Sequence, residues 1–577
     1  MIARDFQKTF AAADPAHLKA YNPEALEFHA GLPAYAPMRL EELMSASVEA
    51  YARQPFLTTS LPNGLSATLS FAEVERQSGN LARYFREVLK LPAGAVVAVQ
   101  SPNCIGYVVC LLAVLRAGLV LSNVNPLYTE TETRRQLRDC KAEVLIGSAL
   151  FADAIDAAVI GTDVKHVLSL SLADFFPAPK RAVLNVMLRH VKHMERPLKS
   201  RHETLRTAIA KGARHATPVS SYTEVLPPSR DSIYQYSGGT TGTSKGVRLT
   251  EAGLITNIDQ FVSLSPELAT MQGHTMLLVL PVYHVFGLFA SVIALRYGVH
   301  IVLAPSPRPL SNLQKSFEKF KPTIFPGVNT LFSKLMDEPW FQQNPPKLAL
   351  TISGAAALDP GIRKRWRTMT STRIIEGYGM TEATTLLTIN PPDGRERPGT
   401  AGLPLPGTQV AILMEDGRFG AAGDVGEIIV QGPQLMSGYL HRPDETAAAF
   451  ADGWMRTGDI GILDKDGYLT IVDRAKDMVL VGGFNVFPNE VDEVLNACPG
   501  IAEAASAGIK VADSEEELHA FVVRRDSNLT VQDVMAHCSQ HLTGYKRPRT
   551  VHFVDELPKS PIGKILRREL RVSVASR

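Results

Sequence analysis

The sequence predicts an α/β protein with a large N-terminal domain and a small C-terminal one. Strand-like and helix-like segments alternate from Ser70 to Ile146, which is typical of parallel sheets with covering helices. Two later strand-like runs, 350–357 and 374–382, end in glycine-rich sequence, and open α/β sheets bind ligands at such strand ends. At 577 residues the chain exceeds one ordinary hydrophobic core, so we expect at least two domains.

The first part of the chain shows this alternation most clearly. A capping box, Ser70 with Glu73, opens a helix that continues to Leu89. The elements expected after it are a strand at 94–100, a helix at 105–117, a strand at 119–123, a helix capped by Thr129 and Glu132, and a strand at 144–146.

Composition and charge are those of a globular protein. Hydrophobic residues make up 45% of the chain and charged residues 20%. The net charge of +2 favours no particular macromolecule, so we expect no nucleic-acid binding. The odd number of scattered cysteines argues against a disulfide framework or a metal cluster and fits a reducing cytoplasm. The start, MIARDFQKTF, has no apolar segment of the kind found in secretory signals, so we expect a cytoplasmic protein.

Two apolar runs raise the question of a membrane span. The run 108–124 contains Arg116, and the run 277–295 is interrupted by Pro281 and His284. A span requires ~20 predominantly apolar residues. We therefore predict that both runs are buried strands and helices of the α/β core.

The stretch 236–247, YSGGTTGTSKGV, is rich in glycine and threonine. Glycines let the backbone adopt positive φ and approach a ligand, and such loops direct N–H groups inward as an anion-binding nest. Threonine hydroxyls add donors, and Lys245 adds a point charge suited to phosphate. This is not a Walker A loop, because Gly242 is followed by Thr243. We predict a phosphate-binding loop; a flexible turn is the alternative.

The segment 180–214 is strongly basic and contains only two acids, Glu195 and Glu203. A basic amphipathic helix can lie on an anionic membrane, so one interpretation is a peripheral position on the inner face of the cell membrane. The other is a solvated helix whose apolar stripe packs on the core, and the sequence does not separate the two. The apolar residues at helical spacing are Val183, Leu184, Met187, Leu188 and Val191.

The last part of the chain predicts a hairpin and a further small α/β unit. Asp466 and Gly467 form a hairpin-turn signal between two strand-like runs. Pro488 is suited to the first position of a helix. The chain then ends in PKSPIGKILRREL, where Arg567 and Arg568 are interpreted as surface charge.

Several of these motifs resemble those of the adenylate-forming superfamily, which includes acyl-CoA ligases, peptide-synthetase adenylation domains and luciferases. NVNPLYT, GVNTLF, GFNVFPNE and PKSPIGKILRREL look most like bacterial long-chain fatty acid–CoA ligases. The resemblance runs from about Ser70 to Leu570. It implies an N-terminal domain of mixed or parallel sheets with covering helices and a β-rich subdomain (1–472), a hinge (473–476) and a small mobile α+β domain (477–577).

The resemblance also implies a site for ATP and Mg²⁺. Ser237 and Glu382 would hold the metal, Thr240 would act in catalysis, Tyr378 would stack on the adenine, and Asp459 would bind both ribose hydroxyls. The other implied contacts are Gly238, Gly239, Thr241, Gly242 and Lys245 in the loop, Gly354, Ala355 and Ala356 beside the adenine, Glu376 and Gly377 on its other wall, Thr381 at a phosphate and Arg474 at the ribose or phosphate, with Gly379, Met380 and Ile471 in the same site.

Further positions are implied for the acyl group, for CoA and for domain motion. His284 would lie beside the acyl carboxylate, and the segment 323–331 would line the acyl pocket, although a tight strand–helix junction would also explain Gly327. Lys564 would be the adenylation lysine, and Lys476 the hinge residue. The residues implied on the CoA side are Gly482, Gly483, Phe484 and Asn485.

The reaction that the resemblance implies has two steps. A fatty carboxylate attacks the α-phosphorus of Mg·ATP, giving acyl-AMP and pyrophosphate, and the CoA thiol then takes the acyl group and releases AMP. The expected partners are thus fatty acid, ATP and CoA. A fatty acyl-AMP ligase without CoA activity and a non-catalytic acyl-binding protein that docks on membranes are alternatives, whereas a peptide-synthetase domain would need an acid near 283–286. Acyl length and homodimer formation stay open.

Overall fold

The computed structural model describes most of the chain. The described residues are 38–192, 194–237, 244–264, 268, 270–451, 453–481, 484–512, 515–560 and 563–575. Within them lie two large mixed sheets, a smaller antiparallel sheet and two small sheets near the C-terminus. This arrangement confirms the predicted α/β class.

One of the large sheets has nine strands among the described residues. Its central pairs are parallel, and antiparallel pairs form both edges. From edge to edge the strands are Leu403–Pro404, Thr388–Ile389, Ile374–Tyr378, Leu350–Ser353, Ile324–Gly327, Thr275–Leu278, His300–Leu303, Pro55–Ser60 and Ser66–Ser70.

The other large sheet has eight strands in the described part. The pairs from Asp231–Ser237 to His202–Thr204 are parallel, which confirms the alternation predicted for the first part of the chain. The strands in order are Gly438–Tyr439, Lys245–Thr250, Asp231–Ser237, Val120–Val124, Val96–Gln100, Val144–Ser148, His166–Leu170 and His202–Thr204.

Helices cover and separate these sheets. The capping boxes predicted at Ser70 and Thr129 both form. The α-helices are Leu40–Tyr51, Phe71–Arg83, Ile105–Arg116, Glu130–Asp139, Ala152–Ala158, Ala178–Val186, Leu205–Gly212, Glu251–Ser263, Val285–Tyr297, Gln314–Phe320, Asn329–Asp337, Pro339–Gln343, Pro360–Thr370, Pro443–Ala449, Pro488–Asn496, Val531–His541 and Arg567–Ala575, with short π or 3-10 turns at Tyr84–Val88, Ala149–Phe151, Met187–Val191, Val219–Tyr222, Leu310–Leu313, Thr381–Ala383 and Gly544–Lys546.

The two apolar runs lie in the core, as predicted. Every residue of the helix Ile105–Arg116 is buried, and the helix Val285–Tyr297 belongs to the same large core cluster. Arg116 is accommodated there because its guanidinium pairs with the carboxylates of Glu41 and Glu75. None of the described helices is both long and apolar enough to cross a membrane.

An antiparallel sheet follows, as expected for a β-rich subdomain. Its described strands are Gln409–Leu413, Val425–Gln431, Trp454–Leu463, Phe450–Ala451 and Leu469–Arg474. The predicted hairpin joins Trp454–Leu463 to Leu469–Arg474, and Gly467 adopts the positive φ, +84°, that its turn requires.

The C-terminal part forms α+β structure with cores of its own. Its strands are Val479–Val481 and Phe484–Val486 in one sheet, and Ile501–Ala512, Glu515–Arg524 and Thr550–Phe553 in another. Two hydrophobic clusters here draw only on residues 479–574. This separation supports a boundary close to the predicted hinge at 473–476, which stays a prediction.

The basic segment is not the single helix that the sequence suggested. A helix, Ala178–Val186, continues as a π turn to Val191, and a strand and the helix Leu205–Gly212 follow. Its apolar stripe is divided: Leu184 and Leu188 are buried, whereas Val183, Val186 and Val191 are exposed. Packing on the core and an exposed apolar face are therefore both present. The segment also has more acidic partners than its own sequence offers, because Arg196 pairs with Asp153 at 2.8 Å.

Candidate active site

The carboxyl ends of two neighbouring parallel strands, Leu350–Ser353 and Ile374–Tyr378, lie side by side. Residues 354–356 and 379–381 extend from these ends, as expected for a ligand site in an open α/β sheet. Ala355 has φ of +70°, a strained conformation for a residue with a side chain. At Gly379 a Cβ would lie 1.7 Å from the carbonyl oxygen of Thr385, so only glycine fits there.

Tyr378, Asp459 and Arg474 form a compact cluster next to these turns. The Tyr378 phenol donates to Asp459 Oδ2 at 2.6 Å, and Arg474 Nε lies 3.1 Å from Asp459 Oδ1. Asp459 is buried, so both contacts hold its carboxylate in a fixed orientation. Burial and the adjacent carboxylate raise the pKa of Tyr378, which keeps the phenol a hydrogen-bond donor. Ile471 lies on the strand that ends at Arg474.

Lys564 comes from far along the chain to the same cluster. Burial, then the charge of Arg474, lower the pKa of its ammonium to about 8, and Asp459 and Asp477 oppose that shift. The loop that carries it packs against the N-terminal unit, because a Cβ on Gly563 would lie 2.9 Å from Thr330 Oγ1. The charge of the predicted ribose acid therefore acts on the predicted adenylation lysine.

Glu376 has a role that the sequence did not suggest. Its carboxylate accepts a hydrogen bond from Leu358 N at 3.0 Å and pairs with Arg363 at 2.6 Å. These contacts tie the turn 354–358 to the neighbouring strand. Burial raises the pKa of Glu376 to about 7. Gly377 is packed closely against Thr388 and Ile389, as the adjacent strand pairing requires.

Glu382 and Lys245 form a second charged group. Tyr439 links them: its phenol donates to Glu382 Oε1 at 3.0 Å, and Lys245 Nζ lies 4.8 Å from its ring centroid. Glu382 follows Thr381 and Met380 in a short 3-10 turn, Thr381–Ala383, and its carbonyl accepts from Met436 N at 2.8 Å. Lys245 forms an ion pair with Glu445.

Glu382 is suited to a magnesium ion bound together with phosphates. Among the described residues, no Lys or Arg lies within ion-pair distance of its carboxylate, and its one hydrogen-bond partner is a neutral phenol. Mg²⁺ in nucleotide sites typically takes one or two protein carboxylates plus phosphate oxygens and water. The part of the chain that the structure describes contains no group of three or more metal-ligating side chains.

His284 lies in a turn that two buried amides hold in place. Asn103 donates to Leu280 O at 2.8 Å and accepts from Val282 N at 2.9 Å, and Gln235 donates to Tyr283 O at 2.9 Å. His284 itself caps the helix Val285–Tyr297. Burial lowers its pKa to about 4, so the ring is neutral at physiological pH.

The His284 turn adjoins the predicted adenine turn. A Cβ on Gly354 would lie 3.2 Å from the ring of Phe286. In the predicted acyl segment, a Cβ on Gly327 would lie 2.8 Å from the ring of Phe332. Tight packing at the strand–helix junction therefore suffices to explain this glycine, and the pocket role of 323–331 stays a prediction.

Several predicted site residues lie outside the described structure. These are Gly238, Gly239, Thr240, Thr241, Gly242, Gly482 and Gly483. For Ser237, Phe484 and Asn485 only the backbone is described: Ser237 pairs with Lys245, and Asn485 with Leu480. Lys476 is exposed in the turn after Arg474.

The interpretation of Arg567 as surface charge is wrong, and Tyr439 and Glu445 were missed. Arg567 is not surface charge: its side chain is 10% exposed and pairs with Asp492 at 2.6 Å. Tyr439 and Glu445 gave no signal of their own, because GYLHRPDET predicts only a helix start at Pro443 with acids in its first turn.

The open α/β fold, with a polar cluster beside its strand ends, is that of a ligand-binding enzyme, and the family matches identify the class as adenylate-forming. The AMP-binding enzyme family matches residues 45–440, and the AMP-binding enzyme C-terminal domain matches residues 490–564. The chain belongs to the AMP-binding enzyme family.

Individual relatives match along most of their length. A long-chain-fatty-acid–CoA ligase of Haemophilus influenzae is 38% identical over 515 residues, covering 88% of this chain and 90% of the relative. One of Bacillus subtilis is 33% identical over 558 residues, covering 96% and 98%. Among solved structures, ATP-bound MatB of Rhodopseudomonas palustris superposes with a TM-score of 0.78 at 28% identity, covering 93% of this chain and 99% of that one.

Proposed function

We propose that this protein is a long-chain fatty acid–CoA ligase that forms acyl-AMP from a fatty acid and ATP and then transfers the acyl group to CoA. The observation that carries the proposal is the bonded cluster of Tyr378, Asp459 and Arg474, in which the charges of Asp459 and Arg474 act on Lys564. Relatives named as long-chain-fatty-acid–CoA ligases over nearly their whole length support the choice of substrate.

In the first step a carboxylate oxygen attacks the α-phosphorus, the bond to the bridging oxygen breaks, and pyrophosphate leaves. Tyr378 stacks on the adenine while Asp459 accepts hydrogen bonds from the ribose hydroxyls. The Lys564 ammonium balances the charge that develops on the phosphoryl oxygens, and such positioning and charge stabilisation carry most of the catalysis in phosphoryl transfer. Glu382, with Ser237, would hold Mg²⁺, which neutralises phosphate charge when bound.

The neutral imidazole of His284 fits a role beside the fatty carboxylate. A ring with pKa about 4 carries no charge at pH 7, so it orients the carboxylate by hydrogen bonding and leaves the oxygen nucleophilic. Asn103 and Gln235 fix the turn that presents it.

In the second step the CoA thiol attacks the acyl carbon and AMP leaves with the phosphate oxygen. Lys564 must first vacate the site, so the unit 477–577 rotates about the exposed turn at Lys476. The strands Val479–Val481 and Phe484–Val486 then line the path of the pantetheine arm, to which the family motif also assigns Gly482, Gly483 and Asn485.

The experiment that tests the proposal is a series of saturated fatty acids from C6 to C20 with two readouts, pyrophosphate release and CoA thioester. We expect both products in equal amounts, with the highest kcat/KM at long chains. Pyrophosphate without thioester would identify an acyl-AMP ligase instead. If neither product forms with any of the acids, the protein is an acyl-binding protein and not a ligase.

A second proposal concerns location: we infer that residues 178–192 and Met194, in the basic segment, contact an anionic membrane surface from the cytoplasmic side. Four apolar side chains are exposed there, Val183 (64%), Val186 (55%), Val191 (66%) and Met194 (51%). Arg189 and Lys192 are exposed beside them. Apolar side chains together with flanking cations favour adsorption to an anionic interface. A surface position gives direct access to a substrate that partitions into bilayers.

A further inference from the structure

Lys245, which follows the predicted phosphate loop, already has an anionic partner. Its ammonium pairs with the carboxylate of Glu445 in the helix Pro443–Ala449. The strand before this helix, Gly438–Tyr439, pairs with the strand that begins at Lys245. The sheet therefore holds the helix beside the lysine, so the ion pair follows from the fold.

The surroundings of this pair suit an exchange of anions. The Lys245 side chain is 20% exposed and that of Glu445 37%, so a phosphate group has access to both. Glu445 has a second cation, Arg442, at 2.9 Å, and thus remains paired when Lys245 moves away. Tyr439 lies under the ammonium and also bonds Glu382, which places the lysine close to the proposed metal-binding acid.

We propose that Glu445 is the counter-ion that Lys245 exchanges for the terminal phosphates of ATP and for pyrophosphate. This inference rests on the proposed function and on the assignment of Lys245 to the phosphates, which the sequence motif 236–247 implies. Because one ion pair is lost when the phosphates bind, they bind less tightly than they would to a free lysine. The exchange thereby favours release of pyrophosphate once acyl-AMP has formed.

The direct test is titration calorimetry of the full chain with sodium pyrophosphate in EDTA, without acyl substrate. Glu445→Gln should lower the Kd by about three- to tenfold, the range expected for a partly exposed ion pair. Glu445→Asp keeps the charge and should stay close to the parent. In a Lys245→Gln background, the additional change Glu445→Gln should not increase the affinity for pyrophosphate.

Asp444→Asn is the matched control, because it removes the same charge from the adjacent, exposed position on the same helix. A Kd that is unchanged or raised in Glu445→Gln overturns the inference, and so does an equal gain in Asp444→Asn, since that is a general charge effect. A damaged fold weakens binding and cannot imitate the expected gain.

The same variants separate this inference from the proposed function. Pyrophosphate binding needs no fatty acid, so a chain inactive on every acid that still gains affinity in Glu445→Gln would refute the proposed substrate alone. A chain that forms acyl-CoA but shows no gain would refute the inference alone. In that active chain we also expect Glu445→Gln to lower the inhibition constant of pyrophosphate by the same factor as its Kd.

Discussion

The phenol of Tyr378 donates a 2.6 Å hydrogen bond to the carboxylate of Asp459, joining residues that lie on different sheets. In the proposed function the first stacks on the base and the second binds the ribose. The bond therefore couples the two halves of nucleoside recognition. Because Asp459 is buried and also faces Arg474, its orientation depends on both neighbours.

Tyr378→Phe should raise the KM for ATP by about tenfold. A hydrogen bond to a charged group contributes roughly 1.5–3 kcal/mol, and water that solvates the carboxylate in place of the phenol recovers only part of this free energy. The ring remains available for stacking. Discrimination between ATP and 2′-deoxy-ATP should shrink as well, because Asp459 loses its orientation. Steady-state kinetics with both nucleotides measure this.

Tyr468→Phe is the control for that change. Its phenol donates to Arg395 O at 2.6 Å, away from the cluster, so the same substitution should leave both KM values at the parental level. If Tyr378→Phe also leaves them unchanged, the phenol does not position the acid and the assignment of Asp459 to the ribose loses its support.

Lys564→Ala should reduce acyl-AMP formation by about 100-fold or more, the order expected when one preorganised charge is removed from a transition state. Thioester formation from supplied acyl-AMP should stay within about threefold of the parent, because the lysine has left the site in that step. Pyrophosphate release and thioester formation report the two steps separately. Equal loss in both would contradict a role confined to adenylation.

The pKa of Lys564, about 8, predicts how adenylation depends on pH. The ammonium is charged below that pH and neutral above it, so kcat/KM for ATP should be level near pH 7 and fall as pH rises through about 8. Bound phosphates favour the charged form of Lys564. The fall of kcat with rising pH should therefore occur at a higher pH than the fall of kcat/KM. Lys564→Arg keeps its charge and should flatten the limb; a limb that persists at pH 8 in this variant belongs to another group.

Local structure in this chain could be predicted because its signals are local. Each of these signals depends on a few adjacent residues, and all are present in the structure: the capping boxes at Ser70 and Thr129, the turn at Asp466 and Gly467, and the helix start at Pro488. The order of motifs also predicted the class of fold.

Pairings between distant segments could not be predicted in this way. The burial of Arg567 depends on acids 75 or more positions earlier, at Asp477 and Asp492, which one short motif does not reveal. Tyr439 and Glu445 reach the site only because a two-residue strand joins the edge of a sheet. The apolar periodicity of the basic segment predicts one helix, because periodicity does not show where burial divides an apolar stripe.

Lys476→Pro should change the ratio of the two half-reactions if the chain rotates at this residue. Proline fixes φ near −65° and removes the N–H donor. Lys476 is exposed, so little packing is lost and thermal stability should stay close to the parent. We expect one half-reaction to fall about tenfold further than the other, because a hinge residue absorbs the backbone change that gates one step. Equal effects on both rates would place the hinge elsewhere.

The proposed membrane contact is tested by sedimentation with anionic vesicles. Each surface-proximal Lys or Arg adds roughly 1 kcal/mol of attraction to an anionic leaflet, so binding should weaken as salt rises. Arg189→Glu with Lys192→Glu should abolish sedimentation and leave turnover of a soluble medium-chain acid within about twofold, because both residues are exposed and surface substitutions usually change stability by less than about 0.5 kcal/mol. Lys364→Glu with Arg367→Glu makes the same charge change at the same spacing on the helix Pro360–Thr370 and should sediment like the parent. Retained binding in the Arg189 and Lys192 variant, or equal loss in the control, would mean that this segment is an ordinary solvated helix.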